Sequence, residues 1–193
     1  MKKLFILPVI GFAIIVYFLM TVVVLPDLFL SNEMLVPQPF FEAKLSDSEI
    51  SLSDSFRLEV ESENRGEYGD IHIVSVAFPD LKEIGDVVDI VRYDFTQSPN
   101  YIVVDEEIGA NYSGGLESTT AKYPSIEAMS RPIHPGDLYF IDIEVTPKHS
   151  GIFRIYVKSV DIPHTSDLSH YPKSGFLDHQ NEYVRVYAVN VNP

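Results

Sequence analysis

No cysteine occurs in the 193 residues. That excludes disulfides, a thiolate nucleophile, iron–sulfur clusters, and zinc or blue-copper sites that need a cysteine ligand. Bases are scarce as well, 14 lysines and arginines against 28 acids, for a formal charge of −14. Setting aside Lys2 and Lys3 leaves 12 bases against 28 acids, a balance of about −16 for the remainder. Nucleic acid is excluded as a partner, because phosphate neutralisation needs clustered cations. Lying flat on anionic lipid is disfavoured for the same reason. Catalytic motifs are missing too. Ser113 in Asn-Tyr-Ser-Gly-Gly lacks the G-x-S-x-G frame, and no phosphate-binding glycine loop or HExxH is found. Asp105-Glu106-Glu107 is not spaced as a calcium loop and reads as a solvated acidic turn.

One long apolar run is present. Leu4 to Leu25 carries no charge, and about 22 residues make a helix of about 33 Å, enough to cross a hydrocarbon core. It exceeds the usual apolar length of a cleaved signal and offers no small-x-small exit site. The expectation is an uncleaved signal anchor that spans the cell membrane once. Lys2 and Lys3 stay cytoplasmic, and everything after Asp27 lies outside. Residues 1–26 are then the anchor, 27–41 a juxtamembrane stalk, and 42–193 an extracytoplasmic domain.

In that domain the recurring signal is alternation with period 2. Phe56, Leu58 and Val60 alternate with Arg57, Glu59 and Glu61; Ile141, Ile143 and Val145 with Asp142 and Glu144. Phe153, Ile155 and Val157 alternate with Arg154, Tyr156 and Lys158; Val184, Val186 and Ala188 with Arg185, Tyr187 and Val189. Ile71 to Phe78 is apolar on both faces, as a central strand would be, with His72 the odd member. Turn signals such as Asn64-Arg65-Gly66, Pro135-Gly136-Asp137 and His149-Ser150-Gly151 divide the runs. Short alternating strands without helices predict an all-β, two-sheet antiparallel sandwich.

The stretch from Ser46 to Asn64, SDSEISLSDSFRLEVESEN, resembles the first two strands of bacterial and archaeal immunoglobulin-like ectodomains. His134 to Val160, HPGDLYFIDIEVTPKHSGIFRIYVKSV, resembles their strands E and F with the turn between them. The resemblance implies an immunoglobulin-like fold and no particular chemistry. Phe153 stands where the family's tyrosine corner has a phenol, and the family's inter-sheet cysteines and tryptophan are missing. The chain as a whole resembles single-pass membrane proteins of ammonia-oxidising archaea.

Function is expected to concentrate in the connection Asp161–Glu182. At this length, connections are usually functional or disordered, and its aromatic content argues against disorder. Tyr171, Phe176, Asp167 and Leu168 are the candidate contacts for another envelope or membrane-complex protein. The chain is then a non-catalytic, membrane-anchored interaction domain that needs no cofactor. The alternative is a copper- or zinc-binding, or small-ligand, module using His164, His170, His179 and Asp178, since imidazole and carboxylate suffice for either metal. His72, His134 and His149 read as local hydrogen-bonding residues. Asn111 in Asn-Tyr-Ser satisfies the N-x-S/T rule and is a glycosylation candidate.

Overall fold

The structure, a computed structural model, describes residues 6–21, 36–108, 119–163 and 168–193. It divides into two units, residues 1–34 and 35–193.

The first unit contributes α1, Ile6–Leu19, 14 residues without a charge. At 1.5 Å per residue α1 is about 21 Å long. No helix among the described residues is long and apolar enough to cross a membrane. The expected span of 4–25 is therefore seen as helix only in part, and positions 4, 5 and 22–25 lie outside the described residues.

The second unit is β throughout. Its strands are β1 (Pro39–Leu45), β2 (Glu49–Ser51), β3 (Phe56–Asn64), β4 (Ile71–Ala77), β5 (Val88–Tyr93), β6 (Asn100–Ile102), β7 (Glu107–Ile108), β8 (Thr119–Thr120), β9 (Ser125–Ser130), β10 (Leu138–Val145), β11 (Gly151–Ile162), β12 (Ser169–Tyr171), β13 (Phe176–Leu177) and β14 (Tyr183–Asn192). One four-stranded sheet runs β1-β3-β10-β5. The larger sheet runs β13-β14-β11-β4-β9-β6, with β12 on β11 and β2 joined in parallel to β14. β7 and β8 form a separate two-stranded ladder. The only helical interruption described in this unit is a 3-10 turn at Gly85–Val87.

The alternation in the sequence explains the core. On β3 every second position from Phe56 to Asn64 is buried and the charges between them face out. Phe56, Leu58 and Val60 meet Ile141, Ile143 and Val145 of the same sheet, and Val74, Val76, Ile155 and Val157 of the other. Each fully buried aliphatic side chain contributes about 1.5–3 kcal/mol. Phe153 packs edge-on against Phe56 at 5.9 Å.

Two sequence readings change. The end of the expected stalk is the first half of β1: Phe41 is completely buried, and Pro39 to Leu45 pairs with β3 from Asn64 to Leu58. On β14 the inward positions are Arg185, Tyr187, Val189 and Val191; Val186 and Ala188 face outward. An arginine on the core-facing parity is tolerated because its guanidinium donates to Phe41 O and to the Tyr171 hydroxyl.

Candidate functional site

β4 is central and buried on both faces. Its inner positions complete the sandwich core, while its outer ones, Ile73, Ser75 and Ala77, floor a cavity of about 360 Å³. Tyr156, Lys158, Val160 and Ile162 of β11 extend that floor, and Ser125 and Glu127 of β9 close one side. The roof edge is the 161–182 connection, with Leu168, His170, Asp178, His179 and Gln180 lining the cavity. The connection is not a structureless loop. β12 and β13 pair with β11 and β14 and hold it against the sheet.

Five polar residues under the connection, Lys158, His170, Asp178, Gln180 and Glu182, are engaged with each other. Lys158 Nζ donates to Asp178 Oδ2 at 3.1 Å, to Gln180 Oε1 at 2.6 Å, and to Glu182. Asp178 Oδ1 accepts the backbone N–H of Gln180 and of Glu182, at 2.8 and 3.0 Å, which fixes the turn that presents both acids to the lysine. His170 Nε2 lies 2.7 Å from Glu182 Oε1. Burial works against ionisation of Glu182, but the His170 imidazole and the Lys158 ammonium outweigh it and hold the carboxyl at about 2. With these charges paired and Ile73, Ala77, Val160, Ile162 and Val184 in the lining, the cavity is suited to an apolar or aromatic group.

Its rim is aromatic. Tyr123 meets Tyr156 at 5.9 Å and His179 at 5.8 Å, both edge-on, and Tyr156 meets Phe176 at 5.4 Å. Phe176, Leu177 and Leu168 are each about half exposed beside it. No protein-family model matches this chain. No curated protein matches it either. Solved structures resemble it in outline only. The CARDB domain of a Pyrococcus furiosus protein, in complex with di-metal ions, is 14% identical over 80% of this chain and 88% of that one, with a TM-score of 0.38. A cohesin module from Clostridium perfringens is 10% identical over 82% and 98%, TM-score 0.39. A protein described as membrane-anchored, from Corynebacterium diphtheriae, is 10% identical over 80% and 36%, TM-score 0.43. Likenesses this distant carry no argument about function.

The candidate residues separate into groups. Leu168 lines the cavity and Phe176 stands beside it on Tyr156, both about half exposed. Tyr171 does not join them. It is half-buried against Phe40 and Phe41, at 4.8 and 5.3 Å, because the β12–β11 pairing directs it toward β1. Asp178 and His170 line the cavity in ion-pair contacts, and His179 packs on Tyr123. Among the described residues no three or more His, Asp or Glu converge as a metal site. His164, Asp167 and Asn111 lie outside the described residues.

One constellation has no counterpart in the sequence motifs. Asp161 Oδ1 bonds His72 Nδ1, and His72 Nε2 lies 2.9 Å from Ser62 Oγ, the bonding order of a serine-hydrolase triad. Ser62 also touches Ser159 Oγ at 3.1 Å and donates to Phe40 O at 3.0 Å. All three triad-like residues are buried to 1% exposure or less, and neither of the two cavities lined by 161–182 residues reaches them. The set is a buried polar link between the two sheets. The desolvation that pushes the Asp161 carboxyl up exceeds the opposing hydrogen bond and charge of His72.

Proposed function

We propose that this chain is a non-catalytic binding module, tethered to the membrane by the segment that includes α1, whose immunoglobulin-like sandwich docks on another envelope protein outside the cell. The strand order supports the immunoglobulin-like reading. β3 lies beside β10, as strands B and E do in that fold, while β11 lies in the opposite sheet between β4 and β14. α1 supports the tether, since a helix apolar on every side is stable only when enclosed by protein or lipid.

The observation that carries docking is the cavity under the 161–182 connection, with Lys158, Asp178, Glu182 and His170 paired among themselves and Leu168, Phe176 and Leu177 exposed around it. Exposed aromatic and apolar groups beside a pocket are the usual centre of an interface. The partner this fits has a protruding apolar side chain set in basic surroundings, complementary to a chain of charge −14.

The test is cross-linking and co-purification of the full-length chain from native membranes. Phe176→Ala with Leu177→Ala should weaken capture at least thirtyfold, from a truncation cost of about 2 kcal/mol or more, with the melting temperature little changed. Undiminished capture would refute the assignment of this face. A second reading is favoured by the cavity volume alone, which lies at the lower end of the range for small-ligand pockets, roughly 300–1,000 Å³. Stoichiometric uptake of Zn²⁺ or Cu²⁺, lost in His170→Ala and His179→Ala, would move the assignment to that reading.

A further inference from the structure

A second cleft, sharing no residue with the first, has a volume of about 430 Å³ and is formed where β1 begins. Gln38, Pro39 and Phe40 line one side, Tyr171 to Ser174 the other, and Arg65 and Arg185 complete it. It therefore holds three cations, Arg65, Lys173 and Arg185, and no acidic lining residue, in a chain whose acids outnumber its bases two to one.

Arg185 is the decisive member. It projects from the core-facing side of β14 and is only partly exposed. One Nη donates to Phe41 O at 3.3 Å and the other to the Tyr171 hydroxyl. Its guanidinium also lies 5.2 Å and 5.1 Å from the Phe41 and Tyr171 ring centroids. These contacts fix the plane of the fork without neutralising it. Among the described residues, the carboxylate that bonds any of the three cations is Glu63, which takes Arg65 Nε. Arg65 also lies 3.3 Å over the Phe40 ring. A part-buried guanidinium without a counter-charge is costly, and the cost is relieved when an anion completes the site. A fixed arginine fork favours oxyanions, which it binds in a bidentate manner.

We propose that this cleft binds a phosphate monoester, with Arg185 gripping the phosphate, Lys173 and Arg65 adding charge at its mouth, and Phe40 and Tyr171 walling the ester's body. A single carboxylate would leave most of the positive charge uncompensated, whereas a phosphate monoester carries about −1.5 to −2.

The test is calorimetric titration of the full-length chain in uncharged detergent at low salt, with glycerol phosphate, inorganic phosphate and acetate as probes. Glycerol phosphate should bind most tightly and acetate at least tenfold more weakly. Arg185→Gln should weaken glycerol phosphate binding tenfold or more, and Lys173→Gln threefold or more. Should Arg185→Gln not fold, Lys173→Gln and Arg65→Gln, both at exposed positions, carry the test. Acetate binding as tight as glycerol phosphate, or affinities unchanged in Lys173→Gln and Arg65→Gln, would overturn the proposal. Inorganic phosphate binding more tightly than the ester overturns the ester assignment. Phe176→Ala with Leu177→Ala should leave these affinities unchanged, which separates this site from the docking face.

Discussion

Glu182 is the residue whose ionisation most directly supports the 161–182 connection. A free glutamate ionises near pH 4.3, and Glu182 in the folded chain at about 2. Its folded value is depressed, so its stabilising contribution is complete above about pH 4.5 and is lost as pH falls toward 2. Across that window the loss is on the order of 3 kcal/mol. Urea unfolding between pH 6 and 2 should show this slope in the native sequence and a shallower one in Glu182→Gln, which also leaves Lys158 with Asp178 as its remaining carboxylate. An identical slope in the two proteins would remove Glu182 as its source. The residue scale is also where the sequence is least legible. His72 stands out as the polar member of an apolar strand, but Ser62 and Asp161 lie 10 and 89 positions away. Strand register alone brings them together, Asp161 opposite His72, and register is not written in any local pattern. Arg185 is hidden in the same way, by a parity that a half-apolar strand leaves open.

Among the elements, the turn after β3 shows how little room the chain leaves. A Cβ on Gly66 would lie 2.4 Å from Val36 O and 2.5 Å from Gln38 N, both backbone atoms. Gly66→Ala must therefore push 36–38 away from the turn, and should cost about 1–3 kcal/mol, in line with overpacking elsewhere. Thermal unfolding of the variant measures it, and a loss below about 0.5 kcal/mol would mean that the segment is not held as described. Long alternating strands such as β3, β10 and β11 are legible in the sequence, because five or more positions establish a period. β12 and β13 are not, at three and two residues. Hence the connection they build is marked in the sequence by its length and aromatic content, not by its form. β1 is obscured for a different reason: Pro37 and Pro39 suggest a stalk, yet a proline is acceptable at the first position of an edge strand.

For the whole molecule, the sandwich follows from alternation and the division into sheets of four and eight strands does not, since pairing partners are remote in sequence. Net charge is legible from composition and has a measurable effect. At −14 the folded chain repels itself, and raising salt from about 10 to 100 mM shortens the screening length from about 30 to 10 Å. The melting temperature of the detergent-solubilised protein should rise by a few degrees over that range. A fall would show instead that attractive pairs, such as Arg154 with Asp80 and Lys158 with Asp178, outweigh the general repulsion. The contact between 36–38 and the turn after β3 also has a mechanical meaning. Val36 and Glu67 are tied by two hydrogen bonds at 3.0 and 3.1 Å, Gln38 to Asn64 and Arg65 by two more at 2.9 Å. Tension applied to the backbone at residue 36 falls on these four bonds, and they share the load before any of it reaches the β1–β3 ladder. If the apolar segment is the proposed tether, a partner docked on the sandwich is pulled without the first strand peeling from its sheet.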